Sequence, residues 1–303
     1  MGRKQRSPLK IIYRFFEYYI FFFLQKALTF LPLTFTAKAG EFIGRIIYLI
    51  DLRHRTIALK NLRMTLGREK DEGELRLIAR RSLENLGRSG GEFISIKKYT
   101  KRNIKNFVTI EGWDYFRDAY EGGKGVILIT GHFGNWELLG VAISLLGRPF
   151  FTVARQLDNQ LLDKKVNDMR SIGGNKVIYK KNALSESLRL LKKGETVGFL
   201  LDQNTNKKEG VFVEFLGIEA STNRGVAMIA LKSRAPVIPV FIIRDGPTHH
   251  RIVFEKRVEV TRSADISGEI ARNTKEFTKV IESYIIRYPD QWLWVHDRWK
   301  TRP

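Results

Sequence analysis

The chain has 303 residues, long enough for one large domain or two small ones, and its 43% hydrophobic and 12% aromatic content excludes a disordered protein. It has no cysteine, which excludes a disulfide framework and a thiolate zinc site. Lysine and arginine number 53 against 32 acidic residues, a net charge of +21. Such a charge indicates a polyanionic partner, namely nucleic acid, an anionic membrane or a phosphorylated substrate, with a merely solvated basic surface as the alternative.

Residues 11–33 are dense in Phe, Tyr, Ile and Leu, but charged residues interrupt them, and the longest uncharged apolar run is 18–24. That run is too short for a membrane span, and no small-residue cleavage site follows it. We expect an aromatic-rich helix that ends at Pro32 and lies in a membrane interface, with the preceding positive charges on the cytoplasmic side. A helix of a soluble core is the alternative interpretation.

The next segments have helical periodicity without strand signals. They are 36–50, 51–67 and 72–97. The basic run 97–105 (KKYTKRNIK) is the candidate boundary between this helical region and the rest of the chain. The predicted organisation is a basic, membrane-associated segment over 1–35 and a second domain over 36–303, with a helical portion (36–105) and an α/β core (106–303).

From Phe107 onward, strand and helix patterns alternate, which predicts an α/β fold with a mixed, mostly parallel sheet flanked by helices. Strands are expected at 107–111, 126–130, 150–154, 176–179, 196–201, 211–215, 236–243 and 251–260. Helices are expected at 113–122, 135–146, 158–172, 183–193, 223–233 and 267–287. The turn Asp245-Gly246-Pro247 predicts that the last two strands form an antiparallel hairpin at the edge of the sheet.

His132 directly follows the predicted strand 126–130 and the break at Gly131, at the strand end where open α/β folds place their chemistry. Glu137 follows five residues later. In one continuous helix the two side chains would lie about 140° apart, so they meet only if His132 is on the loop and Glu137 on the first turns of the helix. A carboxylate on one ring nitrogen would make the other a general base for a hydroxyl.

The same spacing occurs between His250 and Glu255, where the intervening residues have a strand pattern. Residues five apart on a strand point to opposite faces, so this second pair is interpreted as accidental. The flanking pattern, and not the spacing, distinguishes His132.

The stretch GHFGNWELLG (131–140) resembles the H-x4-E motif of the bacterial lipid A biosynthesis acyltransferases, the lauroyl/myristoyl transferase branch of the lysophospholipid acyltransferase superfamily. Further blocks resemble the family in order along roughly residues 10–303. They are 154–174, 200–225, 235–241 and the carboxyl-terminal YPDQWLWVHDRWKTRP (288–303). Leu216 stands where the family usually has a second Phe.

The resemblance implies that His132 and Glu137 are catalytic, and it assigns Arg170 to the functional arginine before a Gly-rich turn, with Arg155 as a second candidate. Either arginine could bind a phosphate or form only a surface ion pair. Asp202 and Gln203 match the family's D-Q block. Asp202 also ends a predicted buried strand, near where His132 ends its own, with an ordinary loop cap as the alternative interpretation.

Asn135, which can open the helix after His132, completes the set of supporting residues. Residues 222–225 could bind an anion or only cap a helix. The tryptophans Trp292, Trp294 and Trp299 are expected to pack or to anchor the protein at an interface. The resemblance implies no metal and no cofactor beyond the acyl donor.

The predicted function is acyl transfer, in one displacement, from acyl-acyl carrier protein or acyl-CoA to a hydroxyl of a lipid A precursor. The expected location is the cell inner membrane, with the site facing the cytoplasm. An enzyme acting on a lysophospholipid, glycolipid or aminolipid is the first alternative. A basic membrane-surface binding protein is the second. No recognised nucleic-acid motif appears, so we expect no nucleic-acid partner.

Overall fold

The structure is a computed structural model that describes residues 8–303, with side chains described from Tyr13 onward. The α-helices are α1 (Pro8–Thr29), α2 (Leu33–Ile50), α3 (Leu52–Leu66), α4 (Glu72–Ile94), α5 (Trp113–Glu121), α6 (Trp136–Leu145), α7 (Gln160–Arg170), α8 (Ala183–Leu191), α9 (Gly225–Ser233) and α10 (Ile266–Arg287). The strands are β1 (Val108–Glu111), β2 (Val126–Thr130), β3 (Phe151–Ala154), β4 (Lys176–Tyr179), β5 (Thr196–Leu200), β6 (Gly210–Phe215), β7 (Ile218–Asn223), β8 (Val237–Arg244) and β9 (His250–Phe254).

Seven strands form one mixed sheet in the order β1-β9-β8-β2-β5-β3-β4. The five strands from β8 to β4 are parallel to one another, and β9 is antiparallel to β8. The predicted fold class and the antiparallel hairpin are therefore confirmed. The position of the hairpin was wrong, because β1 pairs in parallel with the outer side of β9 and forms the edge itself.

Strand β2 is buried at all five positions because helices cover both faces of the sheet. Ile127 and Ile129 belong to the core on one face, together with residues of α8, α9 and α10. Val126 and Leu128 belong to the core on the other face, with residues of α5, α6 and α7. This burial fixes the register of β2 and hence the position of the residue that follows it.

Strand β7 was not predicted from the sequence, where a helix was expected from residue 223 onward. It pairs with β6 in a separate antiparallel hairpin, closed by Leu216 (φ 50°) and Gly217 (φ 76°). Two consecutive positive φ angles are characteristic of a type I′ turn, which matches the twist of the two strands. Residues 218–223 alternate only weakly between polar and apolar, so their pattern is a poor signal of a strand. The turn was the better signal of the hairpin.

Helices α2 and α4 pack with almost no space between their backbones. A Cβ atom on Gly40 would lie 2.1 Å from the carbonyl oxygen of Gly87, and one on Gly91 would lie 2.2 Å from that of Thr36. Small residues spaced four apart allow this close approach. Ser89 and Glu92 of α4 then reach the loop that carries His132.

Helix α1 contacts the rest of the protein through Phe21, which packs against the core, and through a few polar groups. Buried Gln25 donates to the carbonyl of Ile94, and Asn159, just before α7, donates to the carbonyl of Arg14 and to Glu17. No helix within residues 8–303 is both long enough and apolar enough to cross a membrane. Residues 1–7, the basic start of the predicted segment 1–35, lie outside the described residues.

Candidate active site

The site is built at the carboxyl ends of three neighbouring parallel strands. His132 follows β2, Asp202 and Gln203 follow β5, and Arg155 follows β3. These strands are adjacent in the order β2-β5-β3, so their ends meet at the edge of the sheet where open α/β folds bind ligands. The three chain segments therefore come together although 70 residues separate His132 from Asp202.

Two glycines allow the loop after β2 to take its path. A Cβ on Gly131 would lie 3.1 Å from Oδ2 of Asp202, so glycine admits the carboxylate against the backbone. Gly134 has a φ of +56°, and a Cβ there would lie 1.9 Å from the carbonyl oxygen of Ile242. Asn135 then caps α6 by accepting a hydrogen bond from the backbone N–H of Leu138.

Asp202 holds His132 at two points. Nδ1 of the imidazole lies 2.8 Å from Oδ1 of Asp202, and the backbone N–H of His132 donates to Oδ2 at 2.7 Å. The indole Nε1–H of Trp292 also donates to Oδ2, at 2.7 Å. Since an ionised carboxylate only accepts, Nδ1 carries the proton and Nε2 is left with its lone pair.

The environment of Asp202 favours its ionised form. Burial by itself would raise the pKa of this carboxyl, but the charge of His132 and the hydrogen bonds from His132 and Trp292 lower it to about 2. An ionised carboxylate at Nδ1 stabilises an imidazolium that forms when Nε2 takes up a proton. The pair has the chemical properties of a general base and its orienting group.

The expectation that Glu137 orients the ring of His132 was wrong. Glu137 lies on the first turn of α6, as predicted, but its carboxylate forms a bidentate ion pair with Arg170, the last residue of α7. Nε of Arg170 lies 2.9 Å from Oε2 and Nη2 lies 2.5 Å from Oε1. The helix directs Glu137 away from the ring, and the carboxylate on His132 comes instead from the neighbouring strand β5.

The ion pair keeps the guanidinium charged. Burial alone would lower the pKa of Arg170, but the hydrogen bonds and the charge of Glu137 outweigh it and raise that pKa. Two of the five guanidinium N–H groups are used by Glu137. Arg170 lines the same cleft as His132.

A cleft of about 930 Å³ opens in front of His132. Its lining includes apolar side chains (Leu184, Phe199, Val226 and Ile229, called the apolar wall) and basic ones (Arg155, Arg170, Lys180 and Lys181, called the basic wall). Arg170 and Lys180 are ion-paired with Glu137 and Glu209, which also line the cleft. The cleft thus offers apolar contacts to a hydrocarbon chain and hydrogen-bond donors to an anionic group.

The remaining predicted site residues divide into two groups. Gln203 lines the cleft, and its Nε2 lies 3.2 Å from Nε2 of His132, where it can donate to the free lone pair. Arg155 lines the cleft as an exposed side chain. Asn135 faces away from it, because its Nδ2 donates to buried Glu92 at 2.6 Å. Asn135 therefore supports the loop from behind.

Behind the loop, Glu92 is the centre of a buried polar cluster. It accepts two hydrogen bonds from Arg244 and lies 3.3 Å from Nε2 of His250. Burial would raise the pKa of Glu92, but Arg244 and His250 lower it to about 2. Glu255, the other member of the second histidine–glutamate spacing, accepts instead from Tyr284, so the sequence interpretation of that spacing as accidental holds.

Sequence reasoning missed the contribution of the carboxyl-terminal segment 288–303. Trp292 is buried and donates to Asp202, Trp294 and Trp299 are also buried, and none of the three is an interfacial anchor. His296 lines the cleft. The three tryptophans and one histidine of this segment were the available signal, but nothing in the sequence said which carboxylate they approach.

Within the part of the chain that the structure describes, no cluster of three or more His, Cys, Asp or Glu side chains is arranged to hold a metal ion. Residues 222–225 form the end of β7 and the start of α9, where Asn223 accepts from the backbone N–H of Gly225. Asn223 and Gly225 line the cleft.

Comparison with known proteins agrees with the family named from the motifs. A family model described as bacterial lipid A biosynthesis acyltransferase matches residues 3–301. The chain is 28% identical over 275 residues to the lipid A biosynthesis palmitoleoyltransferase of Escherichia coli K12, covering 90% of this chain and 87% of the relative. It is 28% identical over 277 residues to the lipid A biosynthesis lauroyltransferase of the same organism, covering 90% and 88%. A phosphatidylinositol mannoside acyltransferase of Mycolicibacterium smegmatis is 25% identical over 189 residues, covering 61% and 60%.

Proposed function

Because the chain belongs to the bacterial lipid A biosynthesis acyltransferase family, we propose that it moves a fatty acyl chain from a thioester to a hydroxyl of a lipid A precursor, with His132 as the general base. Membership makes the protein an O-acyltransferase. The observation that carries the assignment of the base is the hydrogen bond of 2.8 Å between His132 Nδ1 and Asp202, which leaves Nε2 as a base at the cleft.

This geometry supports a single displacement. Nε2 of His132 takes the proton of the acceptor hydroxyl while its oxygen attacks the thioester carbonyl carbon, and Asp202 stabilises the resulting imidazolium. The C–O bond forms, the tetrahedral intermediate collapses with cleavage of the C–S bond, and the departing sulfur receives the proton from Nε2. The products are an ester and a free thiol. Nε2 of Gln203 lies 3.2 Å from Nε2 of His132, so Gln203 borders the position where the acceptor hydroxyl would bind.

The two surfaces of the cleft suit the two parts of each substrate. The apolar wall (Leu184, Phe199, Val226 and Ile229) matches the acyl chain. The basic wall matches phosphate, which lipid A precursors and both candidate donors carry, and the free N–H groups of Arg170 can bind it in a bidentate manner. We assign the donor to the class of acyl-acyl carrier protein or acyl-CoA, with no other cofactor.

We also propose that α1 and α2 dock the protein on an anionic bilayer. Large apolar side chains on these helices and on the turn between them are exposed, among them Phe30 of the turn at 81% and Ile50 of α2 at 71%. The others are Tyr13, Phe15, Phe16, Tyr19, Ile20, Phe23, Leu24, Phe35, Phe42, Ile43, Ile46 and Leu49. Exposed Lys26, Lys38 and Arg45 on the same helices complement anionic headgroups. The thioester donors are cytoplasmic, so docking would occur on the cytoplasmic face of the inner membrane.

The function is tested with purified protein in vesicles, using one labelled acyl donor and a lipid A precursor. We expect His132→Ala and Asp202→Asn to lower kcat by about 10³- to 10⁴-fold, since Asn would favour the wrong tautomer of the ring. Near wild-type activity of His132→Ala would contradict the assignment of the base. Transfer to a lysophospholipid, glycolipid or aminolipid, but not to the lipid A precursor, would move the proposal to that acceptor.

Docking is tested separately by vesicle sedimentation. Binding to vesicles with anionic lipid should exceed binding to neutral ones, should weaken with salt, and should fall in a Phe23→Glu, Phe42→Glu variant. Equal binding of this variant and the wild type would contradict the assignment of α1 and α2.

A further inference from the structure

His296 is a second histidine of the cleft, and the proton transfers of His132 do not involve it. Its segment pairs with the loop of His132, because the N–H of Leu293 donates to the carbonyl of His132 and the N–H of Gly134 donates to that of Gln291. Asn61 donates to the carbonyl oxygens of Trp294 and His296 at 2.9 Å and 2.8 Å. The backbone around His296 is thus fixed relative to His132.

The hydrogen bond at Nε2 determines the tautomer of His296. The backbone N–H of Asn204 donates to this nitrogen at 3.0 Å, so Nε2 carries no proton. Burial lowers the pKa of His296 and so favours the neutral ring; the charge of Asp202 partly opposes this effect, and the charge of His132 adds to it. A neutral ring whose Nε2 accepts must carry its proton on Nδ1. Among the hydrogen bonds of residues 8–303, none uses this Nδ1–H, which remains a donor on a ring that lines the cleft.

We propose that the Nδ1–H of His296 donates a hydrogen bond to the thioester carbonyl oxygen and stabilises the oxyanion that forms when the acceptor attacks. This inference rests on the proposed acyl transfer. A neutral imidazole is suited to the role because it polarises a carbonyl without placing a positive charge beside His132, which itself becomes cationic in the same step. His296 transfers no proton, and the donor group is the same before and after the reaction. His296 would then be a catalytic residue that touches the reacting oxygen, whereas Asp202 acts through His132.

Two substitutions separate this role from a structural one, because each replaces one nitrogen of the ring by an amide group and removes the other. His296→Asn places an amide N–H where Nδ1 lies and loses the acceptor for Asn204. His296→Gln places an amide oxygen where Nε2 lies and loses the donor to the cleft. We expect His296→Gln to lower kcat by about 10²- to 10³-fold with little change in KM. His296→Asn should retain kcat within about tenfold of wild type, the scale of one altered hydrogen bond.

The reverse order, with Gln active and Asn impaired, would mean that the ring only supports Asn204, and it would overturn the proposal. Equal losses or no losses in both variants would also overturn it. Thermal melting checks that both variants are folded, and Thr301→Ala, which removes a hydrogen bond to the side chain of Asn204 without touching the ring, serves as the structural control. Wild-type protein is assayed in the same series, and absence of acyl transfer there would contradict the proposed function itself instead of the role of His296.

Discussion

Glu137 and Arg170 form a two-point ion pair, with separations of 2.9 Å and 2.5 Å, at the edge of the cleft that contains His132. Both side chains are largely buried, at 18% and 25% exposure, and the hydrogen bonds and charge of Glu137 raise the pKa of Arg170. The conspicuous glutamate of the H-x4-E spacing therefore acts on an arginine 33 residues away and not on its histidine.

This arrangement predicts strong coupling between the two residues. Glu137→Gln and Arg170→Gln should each weaken substrate binding, seen as a higher KM, because Glu137 orients the guanidinium that we propose as the binding group for the anionic part of the substrate. The double variant should be little worse than either single one, with a coupling free energy of about 1–3 kcal/mol in a double-mutant cycle on kcat/KM. Additive losses, or a Glu137→Gln variant with the kcat defect of Asp202→Asn, would contradict this assignment.

Trp292 offers a test of the second oxygen of Asp202. Trp292→Phe removes the N–H that donates to Oδ2 and should lower kcat by about 10- to 100-fold, the scale of one hydrogen bond to a charged group. Trp299→Phe is the matched control, because Trp299 is equally buried but its Nε1 has no hydrogen-bond partner within residues 8–303. Similar kcat values for the two variants would mean that Trp292 contributes packing alone.

The sequence located the candidate base, and the structure located its partner. A buried strand, a glycine and a histidine are local signals, so His132 and the strand end were predictable from residues 126–132. The interpretation also placed Asp202 near His132, since both end buried strands. It chose Glu137 as the orienting group because sequence spacing favours near neighbours. The choice among carboxylates depends on strand order, and no local pattern encodes the adjacency of β2 and β5.

Contacts between distant parts of the chain also explain what the sequence misplaced. The outer position of β1 depends on its pairing with β9, which lies about 140 residues further along the chain. The indole of Trp292 reaches a carboxylate 90 residues away. Helix and strand identity, by contrast, followed from periodicity at most positions.

Acid should destabilise the protein through two buried carboxylates. Asp202 and Glu92 have folded-state pKa values of about 2, below the ordinary 3.8 and 4.5. Their ionisation therefore stabilises the fold fully above about pH 5, and this contribution is lost as the pH falls toward 2. At about 1.4 kcal/mol per pKa unit, the lowered pKa values correspond to roughly 2 kcal/mol for Asp202 and roughly 3 kcal/mol for Glu92.

We expect the urea midpoint of the wild type to fall between pH 5 and pH 2.5. The urea midpoint of Asp202→Asn should be lower than that of the wild type at pH 5 and should fall less steeply with pH. The midpoint of Glu219→Gln, a change at an exposed position, should follow that of the wild type. A slope of Asp202→Asn equal to that of wild type would show that Asp202 does not contribute to acid unfolding.

Adjacent glycines of α4 give a matched test of the crossing with α2. Gly91→Ala would place a Cβ 2.2 Å from the carbonyl oxygen of Thr36, so the helices must separate, and we expect a destabilisation of about 1–3 kcal/mol. Gly90→Ala meets no atom within 4 Å and should stabilise the exposed helix position by about 0.5–1 kcal/mol. Because Ser89 and Glu92 flank this pair and hold the loop of His132, Gly91→Ala should also lower activity, whereas Gly90→Ala should not. Opposite shifts in the urea midpoint support the close crossing, and a neutral Gly91→Ala would mean that the two helices separate without cost.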